Sequence, residues 1–166
     1  DIEVNYTHLD AYTGGSCIEL TGDATSTGTD IVLYKTSLKA GNGAYAKLAV
    51  KTLKNVKATN LYLILKKKNS NTWLEYPYGD VAGNTWEEKK FDLTGIGAND
   101  IIERVGLRVK GNNSDYQLYV GKLELNDETY IDPAAVKDLV GEVKNETKST
   151  MNLKLHWNVD ATGKTP

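Results

Sequence analysis

The chain has one cysteine, Cys17, in 166 residues, so it cannot form an internal disulfide. It has one phenylalanine, one methionine, three prolines and two histidines. The histidines, His8 and His156, stand far apart and have no ligand partner at metal-binding spacing. No apolar run approaches the roughly 20 residues of a membrane span. No secretory leader is visible, and both ends read as cut from a longer chain. A basic excess is missing as well: 20 Lys and Arg face 22 Asp and Glu, a net charge of -2. That argues against a nucleic-acid or anionic-membrane surface. The run Lys66–Lys68 is a local exception, read as a solvated hairpin end. No glycine-rich phosphate loop opens a helix, and no Gly-x-Ser-x-Gly elbow occurs. These gaps exclude the common catalytic layouts for this chain by itself.

What is present is short alternation between turn signals. Ile2 and Val4 alternate with polar neighbours. A glycine-containing bend, Thr7–Ser16, follows, and then the strand pattern Ile18–Thr21. Further strands are expected at 31–37, 45–53, 60–66, 73–78, 86–93, 101–110 and 116–125, with Gly121 as a bulge. Asn60–Lys66 is the most apolar and is expected to be central. Trp86 is expected in the core, as is at least one of Tyr76, Tyr78 and Tyr116. No amphipathic helix is evident through Leu125. Roughly eight short strands predict an all-β fold, a two-sheet jelly roll. The texture changes at Asn126–Pro133. Beyond it, Val136–Lys144 and Asn152–Val159 read as two more strands. A helix over Val136–Val143 is the alternative, weakened by Gly141. The expected organisation is a sandwich at 1–131, then a linker and the first strands of a truncated immunoglobulin- or fibronectin-like domain at 132–166.

Two site hypotheses follow from residue chemistry. The ten tyrosines and three tryptophans combine flat apolar faces with polar tips. Trp73, Tyr76 and Tyr78 fall within six positions, and Tyr116 follows Asn112 and Asn113. Rings beside amides and carboxylates suit sugar recognition. Trp73 and Tyr78 read equally well as core. The second hypothesis is a structural calcium. Asp10, the carbonyls of Tyr12–Gly15 and Glu124 could converge if the first and last strands are neighbours. A bend closed by hydrogen bonds alone is the alternative.

One resemblance connects these stretches. Tyr12-Thr13-Gly14-Gly15-Ser16-Cys17-Ile18-Glu19-Leu20, Leu33-Tyr34-Lys35-Thr36, Trp86 to Leu93, Val105-Gly106-Leu107 and Tyr119-Val120-Gly121-Lys122-Leu123 carry it. In that order they resemble the non-catalytic, galactose-binding-like β-sandwich of bacterial endo-β-N-acetylglucosaminidases acting on N-glycans. The likeness covers residues 1 to about 131. Those enzymes cut the chitobiose core with a separate barrel, by substrate-assisted chemistry. Their catalytic pair is an Asn and a Glu one residue apart. Asn126-Asp127-Glu128 has that spacing but follows the last sandwich strand, so it is expected to be a turn. Structural calcium at the bend is also what the resemblance implies. The chain is therefore expected to be a non-catalytic module of an extracellular or cell-surface glycosidase. Its partners would be an N-glycan-like sugar or the catalytic domain of the same polypeptide. A bacterial adhesin with no enzyme partner is the alternative.

Overall fold

A computed structural model describes residues 2–7, 11–13, 15–54, 60–79, 83–111 and 114–129, together with strands at 136–144 and 152–159. The chain divides into two compact units, Asp1–Thr129 and Tyr130–Pro166. Among the described residues the first holds nine strands: β1 Ile2–Thr7, β2 Cys17–Ala24, β3 Thr29–Lys39, β4 Tyr45–Lys54, β5 Leu61–Lys67, β6 Trp73–Pro77, β7 Trp86–Asp92, β8 Ile101–Val109 and β9 Ser114–Asn126. No helix interrupts them among the described residues. The all-β sandwich expected from alternation is the fold observed.

Two antiparallel sheets make the sandwich. One has the order β1-β2-β9-β4-β7, the other β3-β8-β5-β6. Several pairs are far apart in sequence. Leu20 of β2 lies opposite Leu118 of β9, and Ile31 of β3 opposite Leu107 of β8. Alternation sends one face of each strand inward. Leu20, Ala46, Leu48, Val50, Leu118 and Val120 come from the five-stranded sheet. Leu61, Leu63, Leu65, Val105, Leu107 and Val109 meet them from the other, all of them buried. Burying a side chain of this size stabilises by about 1.5–3 kcal/mol. The sandwich core is therefore the main source of stability.

Two irregularities interrupt the ladders. Between β4 and β9 the register shifts at Ala49/Val50, which face Lys122 and Val120. Gly121 is the extra residue, so the bulge expected there is present. Gly106 of β8 is the second. A Cβ on it would stand 2.2 Å from the carbonyl oxygen of Ile31, so only glycine admits the backbone of β3 at this distance.

Asn126-Asp127-Glu128 ends β9 and enters a turn, as expected from its position. The Glu128 amide donates to the Asn42 carbonyl at 3.0 Å. Asp127 accepts from the Thr129 amide at 2.8 Å. Both acidic side chains pack against the Gly41–Gly43 turn, where added Cβ atoms would collide with them. This is a structural cap on the sandwich.

In the second unit, β10 Val136–Lys144 pairs antiparallel with β11 Asn152–Val159, with a register shift between Lys137 and Val140. The strand reading of Val136–Val143 holds over the helical one. The side chains of both strands lie outside those described.

Candidate functional site

The outer face of the five-stranded sheet carries one aromatic row. Trp86 of β7 lies opposite Lys51 of β4, Lys51 opposite Tyr119 of β9, and Tyr119 opposite Glu19 of β2. Local sequence explains the placement. Leu118 and Val120 point inward, so Tyr119 between them points out. Phe91 is buried in the core, and Trp86 is five residues away, an odd separation. The two therefore occupy opposite faces of β7.

A third ring arrives from the bend before β2. Gly15, at φ 80°, turns the chain there. Tyr12 then lies over β9 at Gly121. A Cβ at Gly121 would stand 2.3 Å from Tyr12 Cβ and 2.9 Å from the Trp86 ring. The missing side chain is what lets the rings gather. Tyr12 and Trp86 have centroids 5.4 Å apart at 48°. Trp86 and Tyr119 are 6.4 Å apart at 32°. Both spacings suit favourable ring pairs. All three rings are half-buried, so part of each is open to solvent.

Charged groups stand beside the rings. Lys51, between Trp86 and Tyr119, is buried to 8% exposure. Tyr12 Oη donates to Glu88 Oε2 at 3.3 Å. Lys122 Nζ lies 2.9 Å from Glu88 Oε2 and 3.1 Å from Glu124 Oε1. Lys122 holds the Glu88 carboxyl below the usual carboxylate range, and the Tyr12 hydroxyl adds to this. Hydrogen bonds to Glu88 and Glu124 raise the Lys122 ammonium in turn. On the other side Gln117 Nε2 donates to Glu19 Oε1 at 2.6 Å. The face thus combines a flat aromatic strip with fixed donors and acceptors. That arrangement can stack on the C–H face of a pyranose and bond its hydroxyls.

The residues expected to bind sugar are not brought together. Tyr76 and Tyr78 are core side chains, 7% and 1% exposed. Tyr76 Oη donates to the Thr94 carbonyl at 2.8 Å. Tyr78 Oη donates to the carbonyls of Glu87 at 2.6 Å and Leu48 at 3.2 Å. Burial pushes the Tyr76 phenol up to about 12 and raises Tyr78 as well. Tyr116 is 2% exposed, and its hydroxyl is buried without a partner among the described residues. Alternation places all three rings between the sheets, so none offers a face to a ligand. This corrects the expected tyrosine cluster. Trp73 alone reaches a surface, half-buried on β6. Trp86, expected in the core, is on the outer face instead.

The calcium expectation rests on Asp10, which lies outside the described residues. Glu124 is described, and its carboxylate faces the Lys122 ammonium. A carboxylate already paired to a cation is a poor donor for a calcium ion. Among the described residues, no group of three or more His, Cys, Asp and Glu side chains is arranged to hold a metal.

No family model matches the chain, and no curated protein matches it. Solved structures do. The glycoside hydrolase domain of Endo-D from Streptococcus pneumoniae R6 superposes with a TM-score of 0.67 at 20% identity, over 96% of this chain and 25% of that one. A β-1,2-glucanase from Parabacteroides distasonis gives 0.58 at 18%, over 86% of this chain and 24% of that one. A carbohydrate-binding module of the β-sandwich superfamily gives 0.54 at 12%, over 76% and 54%.

The likeness to these structures is one of fold, a two-sheet β-sandwich. This chain spans about a quarter of the two enzymes it resembles. Sequence reasoning missed Tyr12, Trp86 and Tyr119 as a group. The odd spacing of Trp86 and Phe91 was a usable signal for the second of them. The meeting of Tyr12 with Gly121 had none, because it depends on the β2–β9 pairing.

Proposed function

We propose that the sandwich is a non-catalytic, carbohydrate-binding accessory module of an extracellular glycosidase. Its sugar site is the Tyr12–Trp86–Tyr119 strip. The observation that carries this is the row Trp86–Lys51–Tyr119, two half-buried rings flanking a cation on an outer sheet face. The resemblance in sequence and the likeness to enzyme and binding-module sandwiches support a glycosidase parent. An endo-β-N-acetylglucosaminidase-like parent and an N-glycan-derived ligand are the finer form of the same reading. Scaffolding of a catalytic barrel would use the same surface without sugar.

Shallow sugar sites bind weakly, and a millimolar Kd is about 4 kcal/mol. Titration of the 15N-labelled chain with chitobiose and N-glycan core fragments tests the proposal. The Trp86 indole N–H signal should shift, and Trp86→Ala and Tyr119→Ala should each weaken binding at least tenfold. Silence of Trp86 with every neutral glycan fragment would overturn the sugar site and leave the scaffold role. A parent chain without a barrel-sized domain would turn the reading toward an adhesin.

A further inference from the structure

The outer face of the other sheet carries a separate charge pattern. Leu61, Leu63 and Leu65 of β5 and Val105, Leu107 and Val109 of β8 point into the core. Tyr62, Ile64, Lys66 and Arg104, Gly106, Arg108 therefore share the opposite face. Trp73 and Glu75 join them from β6, since Tyr76 points inward.

One group of charges there is balanced. Arg108 forms a two-point ion pair with Asp30 of β3, one contact at 2.8 Å, and also pairs with Glu75. Lys110 bonds Glu75 at 2.8 Å and sits 4.3 Å from the centre of the Tyr62 ring. Two carboxylates answer two cations. A neighbouring row is not balanced. Lys35 of β3 lies directly opposite Arg104 of β8, Arg104 opposite Lys66 of β5, and Lys66 opposite Trp73 of β6. Three cations thus stand side by side on adjacent strands. Among the described residues the carboxylate against this row is Glu103, 3.8 Å from Arg104 Nε, with both side chains about two-fifths exposed. Lys67 turns away, to Asp100 at 3.1 Å and the Gly95 carbonyl at 3.2 Å. The Lys66–Lys68 run is therefore split, and Lys66 belongs to the sheet face rather than to a solvated hairpin end.

Like charges directly opposite on neighbouring strands destabilise a sheet. A guanidinium between two ammoniums suits a carboxylate or sulfate, which its fork can hold at two points. The indole at the end of the row suits a sugar ring. Strands about 4.8 Å apart make the row roughly 14 Å long. We propose that Lys35, Arg104, Lys66 and Trp73 form a second site, for an acidic saccharide bearing carboxylate or sulfate groups. Trp73 would carry a ring and the cations its anionic groups. The net charge of -2 disfavours a general polyanion surface, so the ring at the row's end decides for a sugar. This site is on the opposite sheet from Trp86 and does not rest on that reading.

The test is titration of the full 15N-labelled chain at low salt with 3′-sialyllactose, with a sulfated lactose and with lactose. Both acidic sugars should shift the Trp73 indole N–H, and lactose should not. The double variant R104Q/K66Q should weaken acidic-sugar binding at least tenfold, while K47Q/K90Q, with equal charge loss, should not. The R104Q/K66Q chain should also melt no lower than the parent, since it relieves repulsion. Equal shifts with lactose, equal losses in both double variants, or shifts at Trp86 with Trp73 silent would each overturn the proposal. The last outcome would leave the Trp86 site standing. Displacement of the acidic sugar by anionic vesicles or a short DNA duplex at lower concentration would overturn it in favour of a general polyanion surface.

Discussion

At the scale of single residues, the three buried tyrosines make opposite predictions. Tyr78 gives its hydroxyl to two backbone carbonyls, so Tyr78→Phe removes both hydrogen bonds. That costs about 1–3 kcal/mol. Tyr116 has a buried hydroxyl with no partner among the described residues. Tyr116→Phe should therefore be neutral or stabilising, by up to about 1 kcal/mol. Urea unfolding of the two variants checks both signs. The same burial sets an alkaline limit. Tyr76 ionises at about 12 when folded, against 10.0 ordinarily. The unfolded chain releases its proton first, so stability is intact below pH 10 and falls as pH rises from about 10 to 12. Tyr78 and Tyr116 are shifted the same way by burial. Phenolate absorbance should lag during alkaline titration and appear together with loss of near-ultraviolet dichroism. Titration of all ten tyrosines at their ordinary value, in the folded protein, would refute this.

At the scale of elements, alternation was readable and pairing was not. Leu61, Leu63 and Leu65 announce a central strand by spacing alone, and β5 is central in its sheet. Tyr76 and Tyr78 were legible as strand residues, but which face they took depended on β6 pairing with β5. The aromatic strip needed still more, because Tyr12, Trp86 and Tyr119 meet only after β2, β4 and β7 have found their partners. Two glycines test that geometry. At Gly106 an added methyl meets a backbone carbonyl of β3, which cannot rotate away. Gly106→Ala should cost roughly 3 kcal/mol, the upper end for overpacking, and should speed hydrogen exchange along β3. At Gly121 the obstacles are the Tyr12 and Trp86 side chains. Their bend can shift, so Gly121→Ala should cost only about 1 kcal/mol yet disperse the ring cluster. Indole fluorescence and sugar titration of the variant would read the second effect.

At the scale of the whole molecule, the two units differ in how they can be stable. Residues 1–129 carry a core of buried side chains from both sheets. The second unit is 37 residues, and its described residues form one strand pair, β10 and β11. An isolated two-stranded hairpin is marginal in water, and chains below about 40 residues rarely fold without help. The stability measured by unfolding must therefore belong almost entirely to the first unit. A chain ending at Thr129 should keep its cooperative transition, with a midpoint within about 4 °C of the full chain, the shift produced by ~1 kcal/mol in a domain of this size. Its amide spectrum should superpose on that of the full chain for residues 2–120. Loss of cooperative unfolding on truncation would mean that the sandwich needs the second unit. The division between a self-sufficient sandwich and a dependent strand pair would then fail.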